Sequence, residues 1–416
     1  YPSGRDDNQP CDIYWCNVAH LDFSTVVKSP GSRVNKLPGM TELSKKVSLT
    51  HAISSMEKLF PQAYMFYPRS FFLPAHYEDL KTYWKQTLLR HKEHGRDEEP
   101  YFIVKPNEGA QGTGIYLIND LSQIKDPTME QLEYVADPFL MKDQLKFDFR
   151  VYGVIKSLNP LSIYVSREGM ARFCTMKYEK PAPSNFDNLF SHLTNYSLNK
   201  ASQTYVHSNS LEDQVTGSKR LLSTVFYQMG VCGMKTKKLW HDVKLIVVKT
   251  VLAMVPELMI HYEHQFHRKR GPQCFQIVGF DIMVREDGSP VLLEVNASPS
   301  LSIEHSPHNN SRQKSIVDEV IKIPLVRDTL LLVTGQLLEA TKLSSSTSQG
   351  NSRSTDDLKV LKMAKRPYLS EIFPNRYGCE VADLLFLDQM VYIFMQYANL
   401  RLSTTIGVLS LKRIIK

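Results

Sequence analysis

The feature that most constrains this fold is a series of short apolar strands joined by turns too tight for parallel crossovers. Residues 145–156 have the pattern of one long strand, and Asn159-Pro160 turns it into the apolar segment Leu161–Val165. A second turn, Arg167-Glu168-Gly169, leads into Met170–Thr175. Because parallel strands need a connection of about a dozen residues or more, these segments are predicted to form an antiparallel sheet.

Polar and apolar residues alternate strictly in the first of these strands, from Lys146 to Val151. A strand places residues two apart on the same face, so Lys146, Asp148 and Arg150 share one face. Because the neighbouring segments are largely apolar, we expect this strand to be central, which favours a polar cleft. The alternative is a half-exposed strand that carries a ladder of salt bridges.

A later hairpin is predicted to bring two carboxylates together. If its turn is centred on Asp287-Gly288, Asp281 lies directly opposite Glu294, with Cβ atoms about 5 Å apart. Opposed like charges destabilise a sheet, and a hard divalent cation would neutralise them, with Asn296 as a third oxygen ligand. One protonated carboxylate, or a pair splayed at the end of the hairpin, is the alternative. Pro290 lies where it can shift the register.

A glycine-rich loop separates two further predicted strands, Tyr101–Lys105 and Ile115–Ile118. Its three glycines, within residues 109–114, allow backbone amides to approach an anion closely, and Lys105 could add a charge for a phosphate. The loop is not a Walker loop, because no GK[ST] follows, nor a Rossmann fingerprint, because a strand follows it. A plain flexible hairpin loop is the alternative.

Composition narrows the class of protein. The 416 residues carry a net charge of +7, which favours acidic partners, and six scattered cysteines without a CxxC pair favour a reducing, intracellular compartment. The longest apolar stretch, residues 245–260, contains Lys249, Pro256 and Glu257, so we expect no membrane span. Basic clusters without interleaved aromatic residues predict no nucleic-acid partner. The chain begins at Tyr1, which predicts a fragment.

Several motifs together resemble the tubulin tyrosine ligase-like family, and within it the polyglutamylases. The motifs are Lys105, the glycine loop, KFDFR (146–150), HLTNYSLNK (192–200) and GFDIMV with LLEVNASPS (279–300). By itself, the segment 192–200 indicates only a structured loop, since it has no regular spacing. The resemblance runs from about Arg33 to about Asp328. It implies an ATP-grasp fold that uses ATP and magnesium to activate a carboxylate as an acyl-phosphate, which an amino group then attacks.

The resemblance also implies roles for particular residues. It implies nucleotide contacts at Lys105, at Gln111, Gly112 and Gly114 of the flap, at the hinge Glu133, Tyr134 and Val135, and at Lys146, Asp148, Thr194 and Asn195. It implies catalytic roles for Arg150, Arg172 and Glu294, and magnesium ligation by Asp281, Glu294 and Asn296. The hinge departs from the family pattern at Leu132, where a glutamine is usual.

An α/β (α+β) fold of the ATP-grasp type follows, with antiparallel or mixed sheets and flanking helices. We expect an N-terminal domain (1–100), ATP-grasp central and C-terminal catalytic domains (101–340), a Ser/Thr-rich disordered linker (341–358) and a helical basic segment (359–416).

The implied activity is addition of free L-glutamate to glutamates of acidic tubulin tails. Gln111 favours extension of existing chains over initiation. We expect a monomer in the cytoplasm, on the cytoskeleton or at a cilium or basal body. The alternatives are a ligase with another amino acid or acceptor, such as a tubulin glycylase or a non-tubulin glutamylase, and an inactive microtubule-binding module.

Overall fold

A computed structural model describes residues 11–17, 21–23, 31–95, 99–105, 114–125, 130–208, 210, 212–267, 271–305, 313–337 and 369–373. Its strands are β1 Ile13–Tyr14, β2 Arg33–Val34, β3 Ser70–Phe72, β4 Phe102–Lys105, β5 Tyr116–Ile118, β6 Glu130–Glu133, β7 Leu145–Leu158, β8 Leu161–Ser166, β9 Met170–Lys177, β10 Lys219–Leu221, β11 Gln276–Val284, β12 Pro290–Asn296, β13 Glu304–His305, β14 Gln313–Lys314 and β15 Leu369–Phe373. Its α-helices are α1 Met40–Leu43, α2 Lys46–Leu59, α3 Tyr77–Glu93, α4 Leu189–His192, α5 Tyr196–Asn199, α6 Leu222–Val231, α7 Thr236–Phe266 and α8 Ile316–Val333. Short 3-10 turns lie at Pro61–Tyr64, Leu121–Gln123 and Glu212–Val215.

The larger sheet has seven strands in the order β10-β9-β7-β11-β12, with β8 paired to β7 and β15 paired to β8. All of its pairings are antiparallel, as the tight turns predicted. The strand β7 lies between β9 and β11, so the prediction that it is central is confirmed.

Two apolar layers cover the larger sheet, one on each face. Phe147, Phe149 and Val151 belong to the cluster that includes the apolar side of α7. At Gly153 a Cβ atom would lie 2.9 Å from the Phe280 ring, so only glycine allows this close packing on that face. The opposite face of β7 carries Tyr152, which clusters with apolar residues of α8. The polar face of β7 therefore points to the α8 side.

A smaller sheet has the order β3-β6-β4-β5, and α3 packs against it through Leu80 and Trp84. The helix α3 begins at Tyr77 and ends at Glu93. Because β3 pairs with β6, residues before and after position 100 share one sheet. The predicted domain boundary at 100 therefore falls inside a sheet, and the division into domains stays a prediction.

Most of the two predicted C-terminal segments lies outside the described residues. This holds for the linker 341–358 and for the segment 359–416 apart from β15. None of the helices in the described part of the chain combines the length and the apolar character that a membrane span needs.

Candidate active site

A cavity of about 330 Å³ is lined by residues of both sheets and of the segment 192–197. It collects every predicted site residue that the structure describes, except Gly114. These residues are Lys105, Glu133, Tyr134, Val135, Lys146, Asp148, Arg150, Arg172, Thr194, Asn195, Asp281, Glu294 and Asn296. The predicted flap residues Gln111 and Gly112 lie outside the described part of the chain.

Charged residues of neighbouring strands lie directly opposite one another on the floor of this cavity. Arg172 of β9 pairs with Asp148 of β7, and Arg150 of β7 pairs with Asp281 of β11. Asp281 in turn pairs with Glu294 of β12. Because cross-strand partners on one face are in contact distance, the register alone brings charged residues of four strands together as one row, which ends in the two like-charged carboxylates of Asp281 and Glu294.

Asp281 is held by both arginines of this row. Its carboxylate accepts a hydrogen bond from Arg150 Nη2 at 2.9 Å and a second from Arg150 Nε, and it lies 2.8 Å from Arg172 Nη2. Arg172 also donates from Nε to Asp148 at 2.8 Å. Burial acts to raise the pKa of Asp281, but the two guanidinium groups lower it to about 2. Asp281 is therefore an anion at neutral pH.

The hairpin confirms the predicted pairing of Asp281 with Glu294, but by a different route. A β-bulge lies between Asp281 and Ile282, and the strand residues near the turn are out of step by one, with Val284 opposite Pro290. The uniform register first expected around Asp287-Gly288 is therefore wrong near the turn. The bulge absorbs the extra residue, as bulges do, and restores the pairing at the carboxylates.

Glu294 is the carboxylate of the row for which no direct ion pair is found among the described residues. Its pKa is raised, first by burial and then by the negative charge of Asp281, against the opposing influence of Lys105 and the arginines. A carboxylate in this state gains from a bound cation, because the cation removes both the repulsion and the desolvation penalty.

The donor set fits a hard divalent cation. Glu294 and Asp281 supply carboxylate oxygens, and the buried Nδ2 of Asn296 has no hydrogen-bond partner among the described residues. An amide left unpaired in this way can turn its oxygen toward a cation. The described residues contain no cluster of three or more His, Cys, Asp and Glu side chains that could hold a metal. Two carboxylates and an amide suit magnesium, which keeps several ligand positions for phosphates and water.

The other end of the cavity surrounds Lys146 with aromatic rings. Lys146 is 1% exposed, and its Nζ donates to Tyr134 Oη at 2.6 Å and to the Val135 carbonyl at 3.2 Å. The same Nζ lies 3.8 Å from the centre of the Tyr134 ring and 5.4 Å from that of Tyr178. Burial lowers the pKa of Lys146 to about 7. Because this pKa lies near neutral pH, a ligand that places a hydrogen-bond acceptor beside Nζ would favour the protonated form of Lys146.

Two of the three backbone N–H groups of the hinge residues 133–135 already donate hydrogen bonds within the protein. The N–H of Glu133 donates to the Arg69 carbonyl at 2.8 Å, and that of Tyr134 donates to Tyr101 at 2.9 Å. Among the described residues no backbone acceptor is recorded for the N–H of Val135, a residue that lines the cavity. Leu132, which departs from the family pattern, is buried and adds an apolar wall to the cavity.

The segment 192–200 is more ordered than its sequence indicates, because Asn199 fixes it. Asn199 Nδ2 donates to the carbonyls of Leu193 at 2.7 Å and Asn195 at 3.0 Å, and its Oδ1 accepts from Thr175 N at 3.0 Å. Residues 193–195 are thereby placed between α4 and α5, along the cavity. The only signal in the sequence is the asparagine at 199, a residue type whose side chain often hydrogen-bonds to nearby backbone groups.

Two charged residues, one that lines the cavity and one beside it, were missed by the sequence analysis. Lys46, at the start of α2, lines the cavity, and burial together with Lys105 lowers its pKa. Glu130 lies opposite Lys105 in the smaller sheet, and its buried Oε1 has no hydrogen-bond partner among the described residues. Neither lies in a recognisable motif, and each reaches the site through a contact between distant parts of the chain.

Comparison with known proteins gives one consistent result. A family model described as "Tubulin-tyrosine ligase family" matches residues 25–330. The chain is 60% identical over 426 residues to tubulin polyglutamylase ttll-11 of Caenorhabditis elegans, covering 100% of this chain and 59% of that protein. It is 38% identical over 431 residues to human tubulin polyglutamylase TTLL11, covering 98% and 58%. Mouse tubulin polyglutamylase TTLL6 is 35% identical over 330 residues, covering 79% and 37%. The chain spans less than two thirds of the length of these relatives.

Proposed function

Because this chain belongs to the tubulin-tyrosine ligase family and has its ATP-grasp-like α/β fold, we propose that it is an ATP-dependent tubulin polyglutamylase. It would join free L-glutamate, through peptide or isopeptide bonds, to glutamates of the acidic tubulin tail. The similarity to proteins named tubulin polyglutamylase supports this substrate, and the net charge of +7 is favourable for it.

The observation that carries the proposal is the row of charge on the cavity floor. Arg150 and Arg172 bring two guanidinium groups to the Asp281–Glu294 pair. Such planar donors suit the carboxylate and phosphate oxygens that a carboxylate-activating ligase must bring together. An apolar or uniformly acidic cavity would not hold two anionic substrates at once.

Each side chain has a task that follows from its position. Lys105 and Lys46 would bind phosphate oxygens, and Lys146 with the Val135 backbone would bind the base. Arg150 and Arg172 would hold the reacting carboxylate and stabilise charge that develops as it is activated. Thr194 and Asn195 lie at the cavity wall, where they can orient the phosphates and the incoming amino acid.

Asp281, Glu294 and Asn296 would hold magnesium. The cofactors would supply a transferable phosphoryl group on ATP and, through the ion, charge neutralisation along its phosphates. In that complex Asp281 must exchange part of its contact with the arginines for the metal. This exchange would free Arg150 and Arg172 for substrate, so cofactor binding and substrate binding are coupled through one carboxylate.

Chain elongation is the proposed mode of action, on the identity of Gln111. A neutral amide both donates and accepts hydrogen bonds, whereas a cation there would favour a differently placed acceptor carboxylate. Glutamylation of tubulin peptides with no earlier branch tests this by mass spectrometry. Efficient addition of the first residue would contradict it.

The proposed setting is the cytoplasm, with the enzyme a monomer on cytoskeletal microtubules and, in ciliated cells, at the cilium or basal body. Incubation with ATP, microtubules and radiolabelled glutamate or glycine tests the activity. We expect glutamate to be incorporated only with ATP and magnesium. Incorporation of glycine alone, or of neither, would contradict the proposal and favour the glycylase or the inactive binding module.

A further inference from the structure

A second cavity, of about 430 Å³, lies at the end of β12 and is lined in part by a buried cation. The cation is Lys36, which is 9% exposed. Its Nζ donates to Ser298 Oγ at 2.6 Å. Among the described residues no carboxylate forms an ion pair with it, and burial lowers its pKa.

The wall of this cavity is suited to an anion. Beside Lys36 it presents the hydroxyl groups of Ser298, Ser300 and Ser302 and the amide of Asn35, and the described residues that line it include no Asp or Glu. A buried ammonium group that lacks a counter-ion is costly, because its desolvation is not offset by an opposite charge. An anionic ligand would offset it.

The second cavity lies on the same face of β11 as the row of charged residues on the floor of the first cavity. Ile277 lines the second cavity, Asp281 lines the first, and residues two apart along a strand share a face. The two positions are four residues apart, roughly 13 Å at the rise of a β-strand. Between them, a Cβ atom at Gly279 would lie 3.1 Å from Arg150 Cδ and 3.2 Å from Pro299 Cβ, so the glycine allows Pro299 to lie close to the row.

We infer that the Lys36 cavity binds a second carboxylate of the acceptor, on a glutamate about four residues from the one that is modified. This rests on the proposed function. An extended glutamate chain rises by about the same 3.3 Å per residue as a strand, so a carboxylate about four units away reaches the second cavity. The site would select acceptors that carry several glutamates over those with one.

The test compares two acceptor peptides, one with a single glutamate among glycines and serines and one with six consecutive glutamates. Lys36→Met keeps most of the side-chain volume and removes the charge. Lys58→Met, at an exposed position of α2, controls for the loss of one positive charge. Binding is measured by fluorescence anisotropy without turnover, and KM is measured separately for peptide, free glutamate and ATP.

Lys36→Met is expected to weaken binding of the six-glutamate peptide, and to raise its KM, by about tenfold, as loss of one charge-assisted hydrogen bond would. Binding of the single-glutamate peptide and the KM values for glutamate and ATP should not change. Lys36→Arg should retain the preference. If Lys36→Met does not fold, Ser298→Ala, at an exposed position, provides a second variant. It is expected to lower the affinity for the six-glutamate peptide by about threefold.

An unchanged affinity for the long peptide, or an equal loss for both peptides, would overturn the inference. A rise in the KM for free glutamate alone would also overturn it, because the cavity would then serve the incoming amino acid. If wild-type protein adds no glutamate to any acceptor, the proposed function fails. The anisotropy ratio still decides the inference in that case, since it needs no catalysis.

Discussion

Asp281 and Asp318 are each held between two cations, and each is 4% exposed. Asp281 lies between two guanidinium groups on the cavity floor, whereas Asp318 lies between the ammonium groups of Lys219 and Lys322, each at 2.7 Å. The second cluster joins α8 to β10, and Lys322 also donates to the Ser302 carbonyl at 2.7 Å. The same arrangement of charges therefore occurs once at the cavity and once as a salt-bridge cluster that links α8 to β10.

The difference teaches that a strong ion pair does not by itself mark an active site. Burial opposes ionisation of both carboxylates, but the paired cations lower both pKa values to about 2. What distinguishes the first cluster is Glu294, directly opposite Asp281, whose pKa is raised instead. Groups shifted in opposite directions and facing one cavity are a better indication of chemistry than either shift alone.

The largest effect is expected from Glu294→Gln, which removes a negative charge without changing the shape of the side chain. If Glu294 is a magnesium ligand, the variant should fold and lose nearly all glutamate incorporation, a loss of about 10²-fold or more. The matched control is Glu286→Gln, at an exposed position near the turn of the same hairpin. A fully active Glu294→Gln enzyme would show that the cluster around Asp281, like the one around Asp318, has only a structural role.

A pair of variants separates the two clusters directly. Asp281→Asn leaves Arg150 without its anion, although Arg172 keeps Asp148, and Asp318→Asn leaves Lys219 and Lys322 without theirs. Each change should therefore lower the free energy of unfolding by about 3–5 kcal/mol. Chemical denaturation measures this loss. Glutamate incorporation per folded molecule should be lost in Asp281→Asn and stay within about threefold of wild type in Asp318→Asn. Folded but inactive Asp318→Asn protein would contradict the distinction.

The comparison also shows how much of the site the sequence determines. The shared face of Lys146, Asp148 and Arg150 follows from strand periodicity. The pairing of Asp281 with Glu294 was predicted from one turn, but a bulge is needed to bring it about. Contacts that cross the fold do not follow from either. Arg150 meets Asp281 only because β7 lies beside β11, and strand order depends on the packing of the whole sheet.

The same limit applies to the cations that the sequence analysis missed. Lys46 and Lys36 come from the first hundred residues, and they reach their cavities through contacts of α2 and β2 with elements two hundred residues away. The compensating bulge at Asp281 could not be predicted either, because several registers satisfy the same apolar pattern.

Acid should destabilise both clusters in the same pH window. The folded pKa values of Asp281 and Asp318 lie at about 2, below the ordinary value of 3.8, so the unfolded state binds more protons between these limits. The stabilisation is fully present above pH 3.8 and is lost as the pH falls to about 2, on the order of 2 kcal/mol for each group. Unfolding free energies of wild type and Asp318→Asn across this range check the sign; an unchanged slope in the variant would contradict it.

The smallest effect concerns surface charge, which contrasts with both buried clusters. The lysines of the basic run at 235–238 are exposed, and the sequence carries two more basic runs, at 267–270 and 412–416, so these segments would offer counter-charge to acidic tubulin tails. Exposed charges are screened over about 10 Å at 0.1 M salt, whereas buried pairs are screened much less. Microtubule binding in co-sedimentation should weaken by several-fold between low and physiological salt, while the melting temperature barely changes. Salt-independent binding would show that these runs only keep the protein dissolved.

The central claim is that Asp281, Glu294 and Asn296 hold magnesium on ATP, and thermal stability with and without Mg-ATP tests it most directly. A ligand present at 100 times its dissociation constant stabilises a folded protein by about 2.7 kcal/mol. We expect Mg-ATP to raise the melting temperature of wild type and of Glu286→Gln, and magnesium to add little to the effect of ATP on Glu294→Gln. If Glu294→Gln instead melts higher than wild type, gains the full Mg-ATP shift and stays active, the metal site is not there.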